Sequence, residues 1–396
     1  MRVSLRPALR PDMMGGAMDS APPLLDPAGP FCVLGADSAG ADLVRPVVPS
    51  AATMFGPRGA ALASDDGPLF VADTGHHRLL VWQKRPNADH VPADFCIGQP
   101  DFAREGRNAK GAPHAASLNV PTGVAATPTT LVVADAWNHR ILIWHGLPEG
   151  SRPADVVLGQ ADFVSTFANR GAEATAASLN WCYGVAIIGG SLVVCDTGNR
   201  RVLIWHEIPT RNGMPADLVL GQSSMTCRDE NGGIGLNAYG MRWPHAATLI
   251  GQRLVVADSG NNRLMVWNRM PTENGAACDF VLGQSDVGTC EHNRAAYLPD
   301  AGALNMPYAC ATLGDRLATA DTANSRLVGY AGDALFIGAP ASTLTGQPDF
   351  HAKGDNRWKL PVRDSLCWPY GLTACGDTAV VSDSGNNRVL LWRAAS

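Results

Sequence analysis

Charge is scarce in this sequence of 396 residues, and lysine is the rarest of its basic residues. Charged side chains make up 17% of the chain, below the roughly 25% typical of soluble domains. The net charge is −5, and the four lysines form no cluster: Lys84, Lys110, Lys353 and Lys359. Because nucleic acid is bound through basic surfaces, we expect no nucleic-acid partner.

Long apolar runs and paired cysteines are missing as well. No run approaches the ~20 apolar residues that span a bilayer, and the arginines near the N-terminus precede no apolar stretch of signal-peptide length. The ten cysteines are scattered without a CxxC pair, as in proteins of a reducing compartment. The sequence therefore predicts a cytoplasmic protein that has no membrane partner.

What the sequence has is a repeat. Segments such as VADTGHHRLLVW, VADAWNHRILIW and VADSGNNRLMVW occur six times, at intervals of 61 to 63 residues, with their aspartates at Asp73, Asp135, Asp196, Asp258, Asp321 and Asp383. A second motif, of the type VLGQADF, has the same period, with its glutamines at Gln99, Gln160, Gln222, Gln284 and Gln347. The chain is thus built from six copies of one unit.

Each unit consists of short β-branched or apolar pieces between turn residues, for example NVPTGVAAT, LVVAD, RILIW and ADVVLGQ. This pattern is typical of strands, and no segment shows sustained helical periodicity. Four strands in each of six units predict an all-β fold, a six-bladed β-propeller with four-stranded blades. A solenoid is the alternative, but it needs atypical capping repeats, and the last repeat is regular.

The two ends of the chain complement each other. The last unit stops after its third strand, VLLW, and the missing fourth strand is present near the N-terminus as PFCVLGADS. We therefore expect the N-terminal strand to close the last blade, which removes an exposed sheet edge. Residues 1–29 have no repeat character and are predicted to be a flexible lead-in, so that 30–396 form a single propeller.

These motifs resemble the NHL-repeat family, in particular bacterial proteins that combine VADTGNHRVLVW-type segments with LGQxDF segments. The resemblance covers about residues 31–395. It implies a six-bladed propeller but no single function, because that fold serves ligand binders, scaffolds, RNA-binding domains, lyases and hydrolases.

Residues that recur in every unit are interpreted as scaffold, because a binding site needs asymmetry. The repeated Asp, Asn and Arg are assigned to turns and blade contacts, and the repeated Trp to packing. His76, His77 and His139 lie in these turns and are interpreted as exposed turn residues.

The candidate site lies where the repeat varies. Each inner strand begins with a segment of the type NVPTG or CWPYG, and the fourth residues of these segments should surround the mouth of the central channel: Arg58, Thr122, Tyr183, His245, Tyr308 and Tyr370. Arginine suits a carboxylate or a phosphate, tyrosine can donate a hydrogen bond or stack, and His245 is expected to titrate near neutrality. The alternative is a water-filled mouth without a ligand.

A second candidate site is a soft metal or a reactive thiol, the only cofactor that the residues suggest. Its residues lie near the inner strands and in two similar loops, those that follow Gln222 and Gln284: Cys182, Cys367, Cys310, Cys227, Cys290 and His292. Their spacing matches no standard zinc pattern.

Two functional hypotheses follow. The first is a binding or scaffold module that takes a partner protein or a small, anionic ligand through the channel mouth and the loops of one face. The second is a metal-dependent lyase or hydrolase with an axial site. The resemblance implies a precedent for the second in zinc-containing amidating lyases, but only His245 stands at a mouth position, and no mouth residue is a carboxylate of the kind that calcium-dependent lactonases use.

Overall fold

The computed structural model describes residues 21–35 and 47–395. These residues form 24 strands in six antiparallel sheets of four strands each, and the predicted six-bladed β-propeller is confirmed. The ranges described contain short 3-10 turns but no α-helix, and none of these turns is long and apolar enough to cross a membrane.

The blades follow one another along the chain, with the innermost strand first. The strands are β1 (Cys32–Gly35), then β2 (Gly59–Leu62), β3 (Leu69–Asp73), β4 (Arg78–Trp82) and β5 (Phe95–Ile97) in blade 1, β6 (Pro121–Thr127), β7 (Thr130–Asp135), β8 (Arg140–His145) and β9 (Val156–Leu158) in blade 2, and β10 (Cys182–Ile188), β11 (Ser191–Asp196), β12 (Arg201–Trp205) and β13 (Leu218–Leu220) in blade 3. They continue with β14 (Pro244–Ile250), β15 (Arg253–Asp258), β16 (Arg263–Trp267) and β17 (Phe280–Leu282) in blade 4, β18 (Pro307–Leu313), β19 (Arg316–Asp321), β20 (Arg326–Ala331) and β21 (Thr343–Thr345) in blade 5, and β22 (Pro369–Cys375), β23 (Thr378–Asp383) and β24 (Arg388–Arg393) in blade 6.

The N-terminal strand closes the ring, as predicted. Strand β1 pairs antiparallel with β24, with Cys32 opposite Leu391 and Gly35 opposite Arg388. Blade 6 is therefore made of β22, β23, β24 and β1. Because the fourth strand of this blade comes from the N-terminal part of the chain, backbone hydrogen bonds within blade 6 hold the two ends of the chain together.

Residues 21–26 also lie against the propeller. Leu24 donates its backbone N–H to the carbonyl of Leu344 over 3.1 Å, and Asp26 donates to that of Arg393 over 3.0 Å. This segment therefore joins the outermost strand of blade 5, β21, to the end of β24 in blade 6. Leu24 and Leu25 are buried. The lead-in predicted over 1–29 lies mostly outside the described residues, but its last part is packed on the blades.

The repeated Asp and Arg of the turn form a buried ion pair in every blade. In blade 3, Arg201 donates its Nε to Asp196 over 2.7 Å, and both side chains are fully buried. The rest of the guanidinium donates to backbone carbonyls in the loop before β10, at Thr175 and Ser178, and in the loop after β13, at Met225. The repeated arginine thus holds the loops to the turn, which confirms a scaffold role.

The repeated glutamine has a similar role. Gln160 donates its side-chain amide to the carbonyls of Asn138, His139 and Phe167, over 3.2, 3.2 and 2.9 Å. It therefore connects the turn of its blade to the loop that follows the VLGQADF motif.

Candidate functional site at the channel mouth

The six predicted mouth residues come together at one end of the propeller axis. Each lies at the start of the inner strand of a different blade, and all six line a single central cavity of about 430 Å³. The turns between the second and third strands lie at the same end, since Cys182 at the start of β10 pairs with Asp196 at the end of β11. We call this end the top face, and Arg58, Thr122, Tyr183, His245, Tyr308 and Tyr370 the mouth ring.

A β-bulge positions most of the mouth ring. The pairing register shifts after Cys182, Pro244, Pro307 and Pro369, and the residue passed over in each case is a mouth residue: Tyr183, His245, Tyr308 and Tyr370. A wider shift in blade 2 includes Thr122. Because a bulge leaves a residue unpaired and turns its side chain away from the ladder, the same local irregularity presents a different side chain in each blade.

Glycines next to the mouth ring allow the inner strands to approach closely. A Cβ added to Gly184 would overlap the carbonyl oxygen of His245, and one added to Gly59 would overlap that of Thr122. The mouth is therefore narrow enough for neighbouring mouth side chains to touch.

Five of the six mouth side chains form a continuous aromatic and cationic series. The ring centroids are 5.0 Å apart for Tyr183 and His245, 4.5 Å for His245 and Tyr308, and 4.6 Å for Tyr308 and Tyr370. The guanidinium carbon of Arg58 lies 4.8 Å from the ring centroid of Tyr370 and 5.9 Å from that of Tyr183. Arg58 thus closes the series through cation–π contacts on both sides.

The mouth has one permanent positive charge. Desolvation lowers the pKa of His245 to about 4, so the expected titration of this residue near neutrality is wrong. Its Nδ1 lies 2.9 Å from the carbonyl oxygen of Trp243, which requires a proton on Nδ1 and leaves Nε2 as an acceptor. Burial, followed by the neighbouring Tyr370, raises the pKa of Tyr308. At neutral pH the mouth ring is therefore neutral apart from Arg58.

The wall of the cavity below the ring is apolar and has few free donors. Two of its hydroxyls are used between blades: Thr312 donates to the carbonyl of Leu249 over 2.6 Å, and Thr373 to that of Ala60 over 2.7 Å. In the ring itself, the hydroxyl of Thr122 is used in the same way and donates to the carbonyl of Tyr183 over 2.8 Å. Polar contacts to a ligand would therefore come mainly from the mouth ring.

The residues of the second candidate site do not form a metal-binding group. In the part of the chain that the structure describes, no three His, Cys, Asp or Glu side chains lie close enough together to hold a metal ion. Cys182 is fully buried and donates its thiol to the carbonyl of Arg140. Cys310 lines the channel, and Cys367 donates its backbone N–H to Asp383 Oδ1. Cys227 lies in the loop between β13 and β14, whereas Cys290 and His292 lie together in the loop between β17 and β18.

The turn histidines differ from their predicted role. His76 is fully buried and bonds Asp73 over 2.8 Å and the carbonyl of Val47 over 3.0 Å. The Nδ1 atoms of His77 and His139 accept the backbone N–H groups of Val120 and Trp181, over 3.0 and 2.9 Å. All three are thus part of the scaffold, and the two last ones bridge neighbouring blades.

Comparison with known proteins gives one limited similarity in sequence. A stretch of 106 residues is 34% identical to NHL repeat-containing protein 2 of Gallus gallus and covers 26% of this chain and 13% of that protein. No protein-family model matches the chain. Together with the six-bladed architecture, this similarity supports an NHL-type propeller.

Solved structures superpose on most of the length of the chain with TM-scores below 0.5. The WD40 β-propeller domain of Doa1 superposes with a TM-score of 0.46 at 8% identity, over 92% of this chain and 96% of that chain. The hydrazine synthase of Kuenenia stuttgartiensis superposes with a TM-score of 0.47 at 13% identity, over 90% of this chain and 99% of that chain.

Proposed function

We propose that this NHL-type propeller is a binding module that takes a small anionic ligand, carrying a carboxylate or a phosphate, at the mouth of its channel. The observation that carries the proposal is that the Arg58 guanidinium has no acidic partner among the described residues. Among the described residues, no carboxylate lies within 4.0 Å of its guanidinium, whereas each repeated turn arginine has an aspartate. The hydroxyl of Tyr183, 3.5 Å from Nη1, is its one side-chain hydrogen-bond partner there.

The surroundings of Arg58 favour an anion. Its neighbours are neutral at physiological pH, and they hold the guanidinium between two aromatic rings. A charge in such a partly desolvated setting interacts with a counter-charge more strongly than it would in open water. The hydroxyls of Tyr308 and Tyr370 can add neutral hydrogen bonds.

The first prediction tests this site with Arg58→Gln, which removes the charge and leaves a shorter polar side chain. We expect the variant to bind inorganic phosphate or acetate less tightly by about 1.5–3 kcal/mol, the range for hydrogen bonds to charged groups. Tyr183→Phe and Tyr370→Phe keep the aromatic contacts and should cost about 0.5–1.5 kcal/mol each. Isothermal titration calorimetry of the full chain with each anion measures these differences, and mass spectrometry of the purified protein identifies any ligand that it retains.

Loop variants separate this proposal from docking of a partner protein on the top face. Arg107 and Arg228 are exposed top-loop arginines, and their replacement by Gln should leave anion binding unchanged. Arg170 and Arg294 are less suitable controls, because both donate to backbone carbonyls. If the Arg58 variant binds both anions as well as the wild type does, the mouth is not the binding site. No observation in the described residues favours the lyase or hydrolase alternative.

A further inference from the structure

Each top-face turn ends in a residue with left-handed backbone, and this position has a common role in five blades. Its side chain accepts a hydrogen bond from the backbone N–H of the second residue in the next blade's mouth segment. The five pairs are His77 with Val120, His139 with Trp181, Asn262 with Met306, Ser325 with Trp368 and Asn387 with Gly56, at 2.8 to 3.2 Å.

Blade 3 breaks this pattern. Its left-handed residue is Arg200, with φ 56° and ψ 43°, and a guanidinium has no acceptor atom. The N–H of Trp243 in the next blade turns instead to Asp258 Oδ1, over 3.3 Å. Trp243 also lacks the positive φ that Val120, Trp181, Met306 and Trp368 adopt. Arg200 thus keeps the left-handed backbone of this position, but its side chain does not make the hydrogen bond between blades. Strained backbone that serves no structural contact is a feature of functional sites.

The guanidinium of Arg200 is only partly used. Nη1 donates to the carbonyl of Arg228 over 3.1 Å. Nε is buried and has no hydrogen-bond partner in the described part of the chain. The edge formed by Nε and Nη2 is one of the two that match the paired oxygens of a carboxylate, and leaving a buried donor unpaired is costly.

This side chain lines a top-face cavity of about 570 Å³ between blades 3 and 4. The cavity is lined by aromatic side chains, among them Trp181 and Trp243, whose exposed fractions are 49% and 40%. Among the described residues that line it, Arg200 is the only charged one apart from histidine, and none is a carboxylate. His139 contributes a hydrogen-bond donor to the cavity. Its Nδ1 accepts the backbone N–H of Trp181, and desolvation lowers its pKa. The ring is therefore neutral and carries its proton on Nε2.

We propose that this cavity is a second binding site, for a small aromatic carboxylate whose acid group pairs with Arg200 and whose ring packs on Trp181 and Trp243. Its size suits a small organic molecule. It shares Tyr183, His245 and Tyr308 with the channel cavity but has a charged group of its own. The site therefore does not depend on anion binding at Arg58.

The test compares 3-phenylpropanoate with its neutral amide, 3-phenylpropanamide, by calorimetric titration of the full chain. Both compounds are titrated into Arg58→Gln, which removes the anion site proposed at the mouth. This protein should bind the acid about tenfold or more tightly than the amide, since one charge-assisted pair distinguishes them. When Arg200→Asn is added, the acid should bind no better than the amide. The added substitution should not lower stability, because Asn is the residue that blades 4 and 6 use at this position to accept the backbone N–H.

A further variant locates the ring of the ligand. Trp243→Ala, added to Arg58→Gln, should weaken the binding of both compounds together, because each packs its ring on this side chain. The proposal is overturned if Arg58→Gln binds neither compound or binds both equally, since the acid preference would then belong to the mouth. It is also overturned if the added Arg200→Asn retains the preference for the acid.

Discussion

At the scale of single residues, His77 and His139 make the contact between blades sensitive to acid. Each accepts a backbone N–H through Nδ1, which a protonated imidazole cannot do. Desolvation lowers the pKa of both, and for His77 the nearby Arg107 lowers it further. As pH falls below about 6.5, the ordinary value for histidine, the unfolded chain takes up protons that the folded chain resists, so the folded state loses stability.

His76 acts in the opposite direction. Burial would lower its pKa, but the hydrogen bond and charge of Asp73 outweigh that effect and raise the pKa. Its contribution is therefore fully present below about pH 6.5 and is lost as pH rises through its folded value. It offsets part of the acid sensitivity of the other two histidines.

We predict that the double variant His77→Asn and His139→Asn is less sensitive to acid than the wild type. Asparagine keeps an acceptor, tolerates the left-handed backbone, and makes the same contact at Asn262 and Asn387. Urea denaturation at pH 7.5 and pH 5 measures the effect: the midpoint of the variant should fall less between the two values. An equal fall in both proteins would show that these histidines do not control the acid response.

At the scale of the repeated element, the turn depends on complete pairing of its aspartate. Asp196 accepts the N–H of Asn180, the side-chain amide of Asn199 and Nε of Arg201, each at 2.7 Å. Since the pair with Arg201 is fully buried, removal of the carboxylate charge leaves a buried cation uncompensated.

We therefore expect Asp196→Asn to lower the free energy of unfolding by about 3–5 kcal/mol, the cost typical of breaking a buried pair. Glu173→Gln removes an equal charge from an exposed side chain and should change it by less than about 0.5 kcal/mol. Chemical denaturation followed by tryptophan fluorescence compares the two variants. A similar small change in both would mean that the turn does not need the ion pair.

The repeated element also explains what the sequence could predict. Identical turns, strands and glutamines at a constant period define the blades, and the variable residue at a constant place in that period defines the mouth ring. The sequence does not single out Arg200, because this residue stands out only by contrast with the hydrogen bonds that the other five blades make. Nor does the repeat show that the Cys182 side chain lies in the hydrophobic core between blades 2 and 3 and not at the axis.

At the scale of the whole molecule, closure of the ring joins residues that are far apart in the sequence. Strand β1 completes blade 6, and residues 21–26 contact both β21 and the end of β24, where Trp392 donates its indole N–H to the carbonyl of Asp26 over 2.7 Å. The N-terminal segment therefore has two separable contributions, the packing of residues 21–26 and the pairing of β1.

Three truncations distinguish these contributions. Deletion of residues 1–20 removes none of the described contacts and should leave stability unchanged. Deletion of 1–29, the predicted flexible lead-in, also removes Leu24 and Leu25, whose full burial contributes about 1.5–3 kcal/mol each. We therefore expect a folded protein with a clearly lower melting temperature. Deletion of 1–35 exposes the edge of β24, and unpaired edges promote aggregation, so we expect loss of soluble monomer. Thermal denaturation and size-exclusion chromatography order the three: equal stability of the first two would contradict the packing of residues 21–26, and equal solubility and stability of the last two would contradict closure by β1.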